Sequence, residues 1–166
     1  MLGLFLGGIA TALALVVVGS VLRAPIPEAG RQYAVLTVAA VLVVREFGVF
    51  TFPIPQNARL VPQFVTRIPF WGAMQFGAEM GTGMRTYSPT GLPHIMVAAI
   101  MLWASWGEAI AAGTGFALGR ALMLLIFLAA RNKEGADAAF EKGIPRLRPV
   151  FATLLAPLIV LLVLLW

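Results

Sequence analysis

The side chains that could do chemistry are concentrated in one polar segment, which lies between apolar stretches. It reads Gly81-Thr-Gly-Met-Arg-Thr-Tyr-Ser-Pro-Thr-Gly-Leu-Pro-His94 and contains the only histidine of the 166 residues. Such side chains could neutralise one another, bind a polar solute or line a path for an ion. Together with two charged residues outside the segment, they form a predicted polar cluster of Glu79, Arg85, Thr86, Tyr87, Ser88, Thr90, His94 and Arg120.

The charges of this cluster need an explanation, because an ionisable side chain at membrane depth costs roughly 2.5–3.5 kcal/mol on insertion scales. Glu79 and Arg85 are separated by about 9 Å of helical rise and lie on largely different faces, so a direct pair requires a distorted helix. Arg120 is the alternative partner for Glu79. Two interpretations stay open: a structural ion pair that holds two helices together, or charges that line a substrate or ion path.

Two prolines predict a break in the helix that carries the cluster. Pro89 and Pro93 each lack an N–H and clash with the preceding turn, which frees backbone carbonyls. In a bilayer such carbonyls must be buried in protein or face a water-filled cavity. The hydroxyls of Thr86, Ser88 and Thr90 could cover them, which is a purely structural role. Broken helices near the membrane midplane also form the binding sites of transporters.

Several kinds of chemistry are excluded or unsupported. The chain has no cysteine, which excludes disulfides, thiolate metal sites and thiol redox chemistry by this chain alone. His94 has no companion histidine, so we expect it to pack or to lie at an interface rather than to bind a metal. Tyr87 is expected to pack, with its hydroxyl as a polar handle. No phosphate-binding loop, carboxylate cluster or serine nucleophile motif occurs, so an enzyme is the least favoured class, and no cofactor or metal is predicted.

The elements that must position these residues are membrane helices. The chain is 60% hydrophobic and 11% charged, whereas soluble domains carry about 25% charged residues. Lipid is therefore the expected surrounding of most apolar side chains. We predict an all-α polytopic membrane protein forming a single transmembrane domain over 1–166. About five spanning helices are expected, at 1–22, 32–52, 69–103 (broken at 88–93), 108–130 and 149–166.

The first predicted helix could be mistaken for a signal peptide. It lacks a basic start, and its apolar run exceeds the usual 7–15 residues or so, so we interpret it as a retained membrane helix. If 69–103 crosses once, eight basic residues share one side of the membrane: Arg45, Arg59, Arg67, Arg131, Lys133, Lys142, Arg146 and Arg148. Only Arg23 and Arg31 lie on the other side. This bias predicts an inner-membrane protein with a cytoplasmic N-terminus and an external C-terminus. A re-entrant 69–103 segment would remove most of the bias.

Glycines indicate where helices approach one another. Gly77-x-x-x-Gly81 and Gly115-x-x-x-Gly119 are patterns of small residues that allow close helix packing. We expect the third and fourth predicted helices to cross at these four glycines.

The motif around the break resembles a known family. Ser88-Pro-Thr-Gly-Leu-Pro93, after a glycine-rich run, is similar to the Ser/Thr-Pro-Cys-x-x-Pro helix break of the CcdA/DsbD-type transmembrane thiol–disulfide carriers, a superfamily of cytochrome c biogenesis proteins. The following run, Gly115-Phe-Ala-Leu-Gly-Arg-Ala-Leu-Met-Leu-Leu125, resembles the family's next helix. The Phe52-Pro-Ile-Pro55 stretch and its basic connector resemble the midpoint between two inverted halves. The resemblance covers about residues 5–166 and is stronger in the second half.

The resemblance implies a remnant of a 3+3 inverted repeat that has lost its chemistry. Members of the family carry one cysteine in each repeat and pass electrons from cytoplasmic thioredoxin to external thiols. Here Thr90 stands where the second cysteine would be, and the first helix of the first repeat is missing, which leaves five helices instead of six. Electron transfer is therefore rejected, although the fold could persist.

Two functional hypotheses follow. In the first, the protein is a non-redox, transporter-like membrane subunit whose polar broken helix lines a substrate path. In the second, it is a structural or assembly subunit of a larger membrane complex or a homo-oligomer. The expected partners are the lipid bilayer and either another membrane protein or a second copy of the chain. The basic residues lie in loops between apolar runs, so no nucleic-acid partner is predicted.

Overall fold

Apolar runs of helix-forming residues, separated by proline and glycine, divide the chain into helices. The computed structural model describes residues 1–55, 69–83, 88, 90–130, 135, 138, 142–143 and 146–154. Five helices are bounded there: α1 (Leu2–Arg23), α2 (Glu28–Glu46), α3 (Pro69–Thr82), α4 (Leu92–Leu102) and α5 (Trp106–Ala130). The chain is also helical at 146–154, here called α6. No strand occurs in these described ranges, which confirms the all-α class.

The second helix is displaced towards the N-terminus relative to the prediction of 32–52. Pro27 is its extended N-cap, and Glu28 in the first turn complements the positive end of the helix dipole. The helix stops at Glu46 because Gly48 adopts a left-handed conformation with φ 76°. The apolar residues that follow Gly48 are exposed. Hydropathy alone therefore extends the predicted helix to position 52, although the backbone has already turned at Gly48.

The fifth helix begins at Trp106 rather than at the predicted position 108. Ser105 and Glu108 form a reciprocal capping pair in which the Ser105 amide donates to Glu108 Oε2 at 2.7 Å. The Glu108 amide in turn donates to the Ser105 hydroxyl at 3.4 Å. This pair satisfies two amides that would otherwise lack partners in the first turn. In the last predicted helix (149–166), α6 starts at 146, and positions 155–166 lie outside the described residues.

The predicted third helix consists of two helices, α3 and α4, separated by residues 83–91. Gly83 has φ 69°, a left-handed conformation that ends α3. Pro93 lies in the first turn of α4, where its missing N–H has no structural cost. The gap therefore begins five residues before the expected break at 88–93, and Pro93 starts the second helix rather than ending the first. Pro89 lies outside the described residues.

The central helix is α1, and α3 and α4 pack along its successive halves. Gly3 contacts Met74 and Gly8 contacts Gly81, so α3 runs in the same direction as α1. Near the other end, Gly19 contacts Met101 of α4, which continues in that direction. The two halves of the broken helix thus form one discontinuous element beside α1, not a hairpin that returns to its starting level.

The remaining packed helices run in the opposite direction. In α5, Ala109 joins a buried cluster with Ala12, Val16, Ile100 and Ala104, while Gly113 contacts Gly8 nearer the start of α1. Helix α2 packs on α4 through a second cluster of Ala39, Leu42 and Ile95. Its last residue, Glu46, meets the first turn of α4 at Gly91. The contacts therefore alternate in direction from one crossing element to the next.

We predicted that the third and fourth predicted helices cross at their glycines, and the structure shows a different packing. Gly77 and Gly81 do lie at a close crossing, but their neighbours are the α1 backbone atoms of Gly3, Leu4 and Gly8. Helix α5 packs mainly on α1, at Gly113, and only slightly on α3. A Cβ placed at Gly113 would lie 2.7 Å from Gly8 O.

The physical reason is the helical period. Gly113 shares a face with Ala109 and Ala117, both fully buried, whereas Gly115 is rotated about 200° away at 100° per residue. No described atom lies within 4 Å of a Cβ placed at Gly115 or Gly119.

Two helices, Leu2–Arg23 and Trp106–Ile126, are long and apolar enough to span a membrane. Both present large apolar side chains outwards, including Leu2, Val21, Leu122 and Ile126, each exposed by more than half. Extensive exposed apolar surface marks contact with lipid or with another protein. The lengths and the outer surfaces of these helices are therefore consistent with membrane association.

Candidate functional site

A cavity of about 330 Å³ lies at the helix break, level with the middle of α1. The end of α3 and the start of α4 form two of its walls, α1 and α5 form the others, and Pro55 covers one side. Its lining residues include Thr11, Thr82, Gly83, Ser88, Pro93, His94, Met96, Val97 and Phe116. The interruption of the helix therefore creates a partly open cavity at which α3 ends and α4 begins.

The lining is mainly apolar, with a few polar groups at the helix ends. The Thr82 hydroxyl donates to Glu79 O at 2.7 Å, so its proton is engaged within its own helix. His94 Nε2 lies 3.1 Å from Pro55 O. Because a carbonyl oxygen only accepts, Nε2 must carry the proton, and a neutral ring then has a free lone pair on Nδ1. That Nδ1 is buried without a hydrogen-bond partner.

Arg120 stands behind the cavity wall rather than in it. Its Nη2 donates to the Ser88 hydroxyl at 3.5 Å, the long limit of a hydrogen bond. Its guanidinium carbon lies 5.2 Å from the centre of the Phe116 ring, an arrangement that favours a cation. Ser88 and Phe116 both line the cavity, so the positive charge is only one side chain away from it.

Glu79 is not the partner of Arg120. Both residues belong to the described part of the chain, and no ion pair joins them. The Glu79 carboxylate instead accepts a hydrogen bond from Gln75 Nε2 at 3.3 Å, one turn earlier on α3. The interpretation in which these two charges hold the third and fourth predicted helices together therefore does not describe this fold.

Glu46 is the site residue that sequence reasoning missed. Its side chain is fully buried, and Oε1 accepts hydrogen bonds from the Gly91 amide at 2.8 Å and from Arg45 Nη1 at 3.0 Å. It thereby caps the start of α4, where amides lack partners within the helix and the dipole favours negative charge. The signal in the sequence was weak: an Arg–Glu pair at a helix end resembles an ordinary interfacial pair.

The other end of α4 is held by Arg23 of α1. Its Nη1 donates to Ala104 O at 2.9 Å and to Trp103 O at 3.3 Å. A cation at these carbonyls complements the negative end of the helix dipole. Residues from two other helices, one acidic and one basic, therefore fix both ends of α4 beside the cavity.

The predicted cluster is only partly gathered at the site. Ser88, His94 and Pro93 line the cavity, Gly81 lies in its wall, and Arg120 supports Ser88 from behind. Thr90 is half-buried in the break next to Gly91. The remaining predicted positions, Arg85, Thr86, Tyr87 and Pro89, lie outside the described residues. Over the described ranges, no group of three or more His, Asp or Glu side chains could hold a metal ion.

Over the described residues the structure is helical, with two helices long and apolar enough to span a membrane and a cavity at a helix break. Comparisons of this chain with protein-family models, with curated proteins and with solved structures find no match. The resemblance to the thiol–disulfide carriers therefore stays a prediction from the motif around Ser88.

Proposed function

We propose that this chain is an integral membrane protein of a non-redox, transporter-like class, in which the cavity at the helix break forms part of the path of a small uncharged solute. The observation that carries the proposal is the cavity between the facing ends of α3 and α4. Transporter sites are typically built from such interrupted helices. The volume lies at the lower end of the range of about 300–1,000 Å³ found for ligand pockets.

The directions of the helices support a single broken crossing of segment 69–103. Helices α3 and α4 follow α1 over its successive halves, and α2 and α5 run opposite to their neighbours. A chain that crosses the membrane once with α1, once with α2, once with the broken helix and once with α5 would produce this alternation. It agrees with the orientation proposed from the loop charges: N-terminus in the cytoplasm, C-terminus outside the inner membrane.

The lining favours a neutral solute with few hydrogen-bonding groups. Most of the wall is apolar, and the polar side chains in it are hydroxyls and one imidazole. Arg120 is screened from the cavity by Ser88 and Phe116. An anion could reach the Arg120 guanidinium only if Ser88 and Phe116 moved, and a cation in the cavity would be repelled by that guanidinium.

Glycerol flux into vesicles tests the proposal. Proteoliposomes holding the purified protein should re-swell in a glycerol gradient faster than empty vesicles. Val97→Trp should remove the difference because it fills the cavity, whereas Leu118→Trp, on the exposed face of α5, should retain it. Equal rates with and without the wild-type protein would contradict the proposed path for glycerol-sized solutes.

The proposed relation to the thiol–disulfide carriers concerns the fold alone. Thr90 replaces the cysteine of the family's motif, and the chain contains no other thiol. Its role at the break would be structural, near the amide of Gly91 that Glu46 caps.

A structural or assembly subunit is the alternative function, and one observation favours it. Gly115 and Gly119 present a small-residue face of α5 that has no described neighbour within 4 Å, a surface typical of helix association in membranes. Gly115→Leu should then dissociate an oligomer or complex in mild detergent, whereas Leu128→Phe, at an exposed position about 140° away from Gly115 around the helix, should not. A wild-type protein that stays monomeric and purifies alone would exclude this alternative.

A further inference from the structure

A non-helical segment, residues 47–55, leads from the end of α2 to the cavity at the helix break. We call this segment the strap. It turns away from the axis of α2 at Gly48, whose φ is 76°. It reaches the cavity at Pro55, which alone among the described lining residues comes from the segment that follows α2. The strap therefore forms one side of the cavity without belonging to a helix.

The strap begins near the middle depth of the helices. Met101 of α4 contacts Gly19 of α1, and α4 starts about 14 Å of helical rise before Met101. The start of α4, together with Glu46 at the end of α2, is therefore level with the middle of α1. At such a depth in a membrane, non-helical backbone is tolerated where it is buried in protein or lines a water-filled cavity. This position suits a segment that borders the cavity.

Few contacts hold the middle of the strap. No described residue accepts a hydrogen bond from the backbone amides of Val49, Phe50 or Phe52. Arg45 Nε donates to Phe52 O at 3.0 Å, and the Arg45 guanidinium carbon lies 5.2 Å from the centre of the Phe52 ring. Because Arg45 belongs to α2, these two contacts tie the strap to α2 at Phe52. The residues beyond Phe52 depend on other contacts.

The end of the strap, Pro53-Ile54-Pro55, is held at two points. Ile54 is half-buried against the apolar cluster between α2 and α4. His94 Nε2, on α4, donates to Pro55 O at 3.1 Å. The two prolines fix φ on both sides of Ile54, so this short end is stiff and should move as one piece. Its separation from α4 would break both contacts and remove Pro55 from the cavity wall.

We propose that the end of the strap is a gate at the side of the cavity, that it pivots at Phe52, and that the hydrogen bond from His94 to Pro55 is its latch. As a regulator of solute entry, this gate rests on the proposed function. The buried part of Ile54 keeps the gate closed by default. Loss of one neutral hydrogen bond changes a two-state equilibrium roughly fivefold, so the latch sets how often the gate opens.

Distances between spin labels in proteoliposomes test the gate without reference to transport. The chain has no cysteine, so labels on Pro53→Cys and Leu118→Cys, both at exposed positions, report only the distance from the strap to α5. His94→Leu removes the latch and should raise the population at the open distance roughly fivefold. His94→Gln keeps a side-chain donor and should stay closed. Met96→Leu, in the same cavity wall, keeps the latch and is the matched control.

Two further variants locate the motion. Ile54→Ala weakens the other attachment and leaves α4 unchanged, so it should also increase the open population. A label at Thr51→Cys, paired again with Leu118→Cys, should give the same distance in every variant, because Arg45 holds the neighbouring Phe52. Identical Pro53 distances in the wild type, His94→Leu and Ile54→Ala would overturn the gate. An equal change at Thr51 would overturn the pivot, since the whole strap would then move.

Glycerol flux separates the gate from the solute path. If both exist, His94→Leu and Ile54→Ala should admit glycerol faster than the wild type, by up to roughly fivefold for His94→Leu. A wild-type flux equal to that of empty vesicles would contradict the path, while a distance change in the same variants would still support the gate. Unchanged distances beside a normal wild-type flux would remove the gate and leave the path.

Discussion

The two halves of the broken helix are held in different ways. Helix α3 is held along its length, because glycines let its backbone touch the backbone of α1 at Gly3, Leu4 and Gly8. Helix α4 also touches the α1 backbone, at Gly19, but its two ends are in addition held by charged side chains, Glu46 at the start and Arg23 at the finish. The difference teaches that α3 should be sensitive to side-chain volume, whereas α4 should also be sensitive to charge. Because α3 ends and α4 begins at the same cavity, a substitution in either helix should disturb that cavity.

The largest effect is expected at the α1–α3 contact. A Cβ at Gly81 would collide with Leu4 O, so Gly81→Leu must separate the two backbones. We expect a loss of about 3 kcal/mol in the free energy of unfolding, at the upper end for overpacking. Thermal unfolding in mild detergent measures it. Gly107→Leu is the control, because no described atom lies within 4 Å of a Cβ there. Equal stability of the two variants would show that α3 is not held by close approach.

A smaller effect is expected at the start of α4. Glu46→Leu leaves the Gly91 amide and the Arg45 guanidinium without their acceptor, which should cost about 2 kcal/mol. Glu46→Gln keeps an oxygen for Gly91 but loses the ion pair, so its unfolding midpoint should fall between those of wild type and Glu46→Leu. If the leucine variant matched the wild type, the proposed difference between the half-helices would be lost.

The smallest effect is expected at the end of α4. Arg23→Gln removes a cation from the carbonyls of Trp103 and Ala104, which should reduce stability by about 1 kcal/mol. Arg23→Lys retains the charge and should recover part of the loss. The comparison is sharpened if hydrogen exchange then increases in α4 while α3 is unchanged. Uniform exchange over both helices would indicate that they behave as one unit.

The sequence predicts the break but not what holds it. Prolines and glycines act on their own backbone, so the interruption near Ser88 and Pro93 could be predicted from local rules. The cap on Gly91 comes from Glu46, which is 45 residues away in the chain, and no local pattern indicates that contact. The polar residues and the position of the break therefore locate the site in the sequence. The contacts that hold its helices in place depend on tertiary packing and cannot be read from local patterns.

The glycines illustrate the same limit. Small-xxx-small spacing correctly marks Gly77 and Gly81 as positions of close approach, but it does not name the partner helix. In α5 the same spacing selects Gly115 and Gly119, whereas the contact with α1 is made at Gly113 between two alanines. The small-residue pattern accepts alanine as well as glycine, so several registers fit one helix, and only the facing surface of α1 decides between them.

The most direct test of the central claim is whether water reaches the cavity at the helix break. The chain has no cysteine, so single-cysteine variants report without background. Thr11→Cys lies in the cavity wall, and Leu118→Cys is exposed on α5 at a similar depth, since neighbouring Ala117 contacts Gly8. In proteoliposomes, N-ethylmaleimide should label Thr11→Cys at least tenfold faster, because maleimides react with the hydrated thiolate. Equal and slow labelling of both variants would contradict a water-accessible cavity.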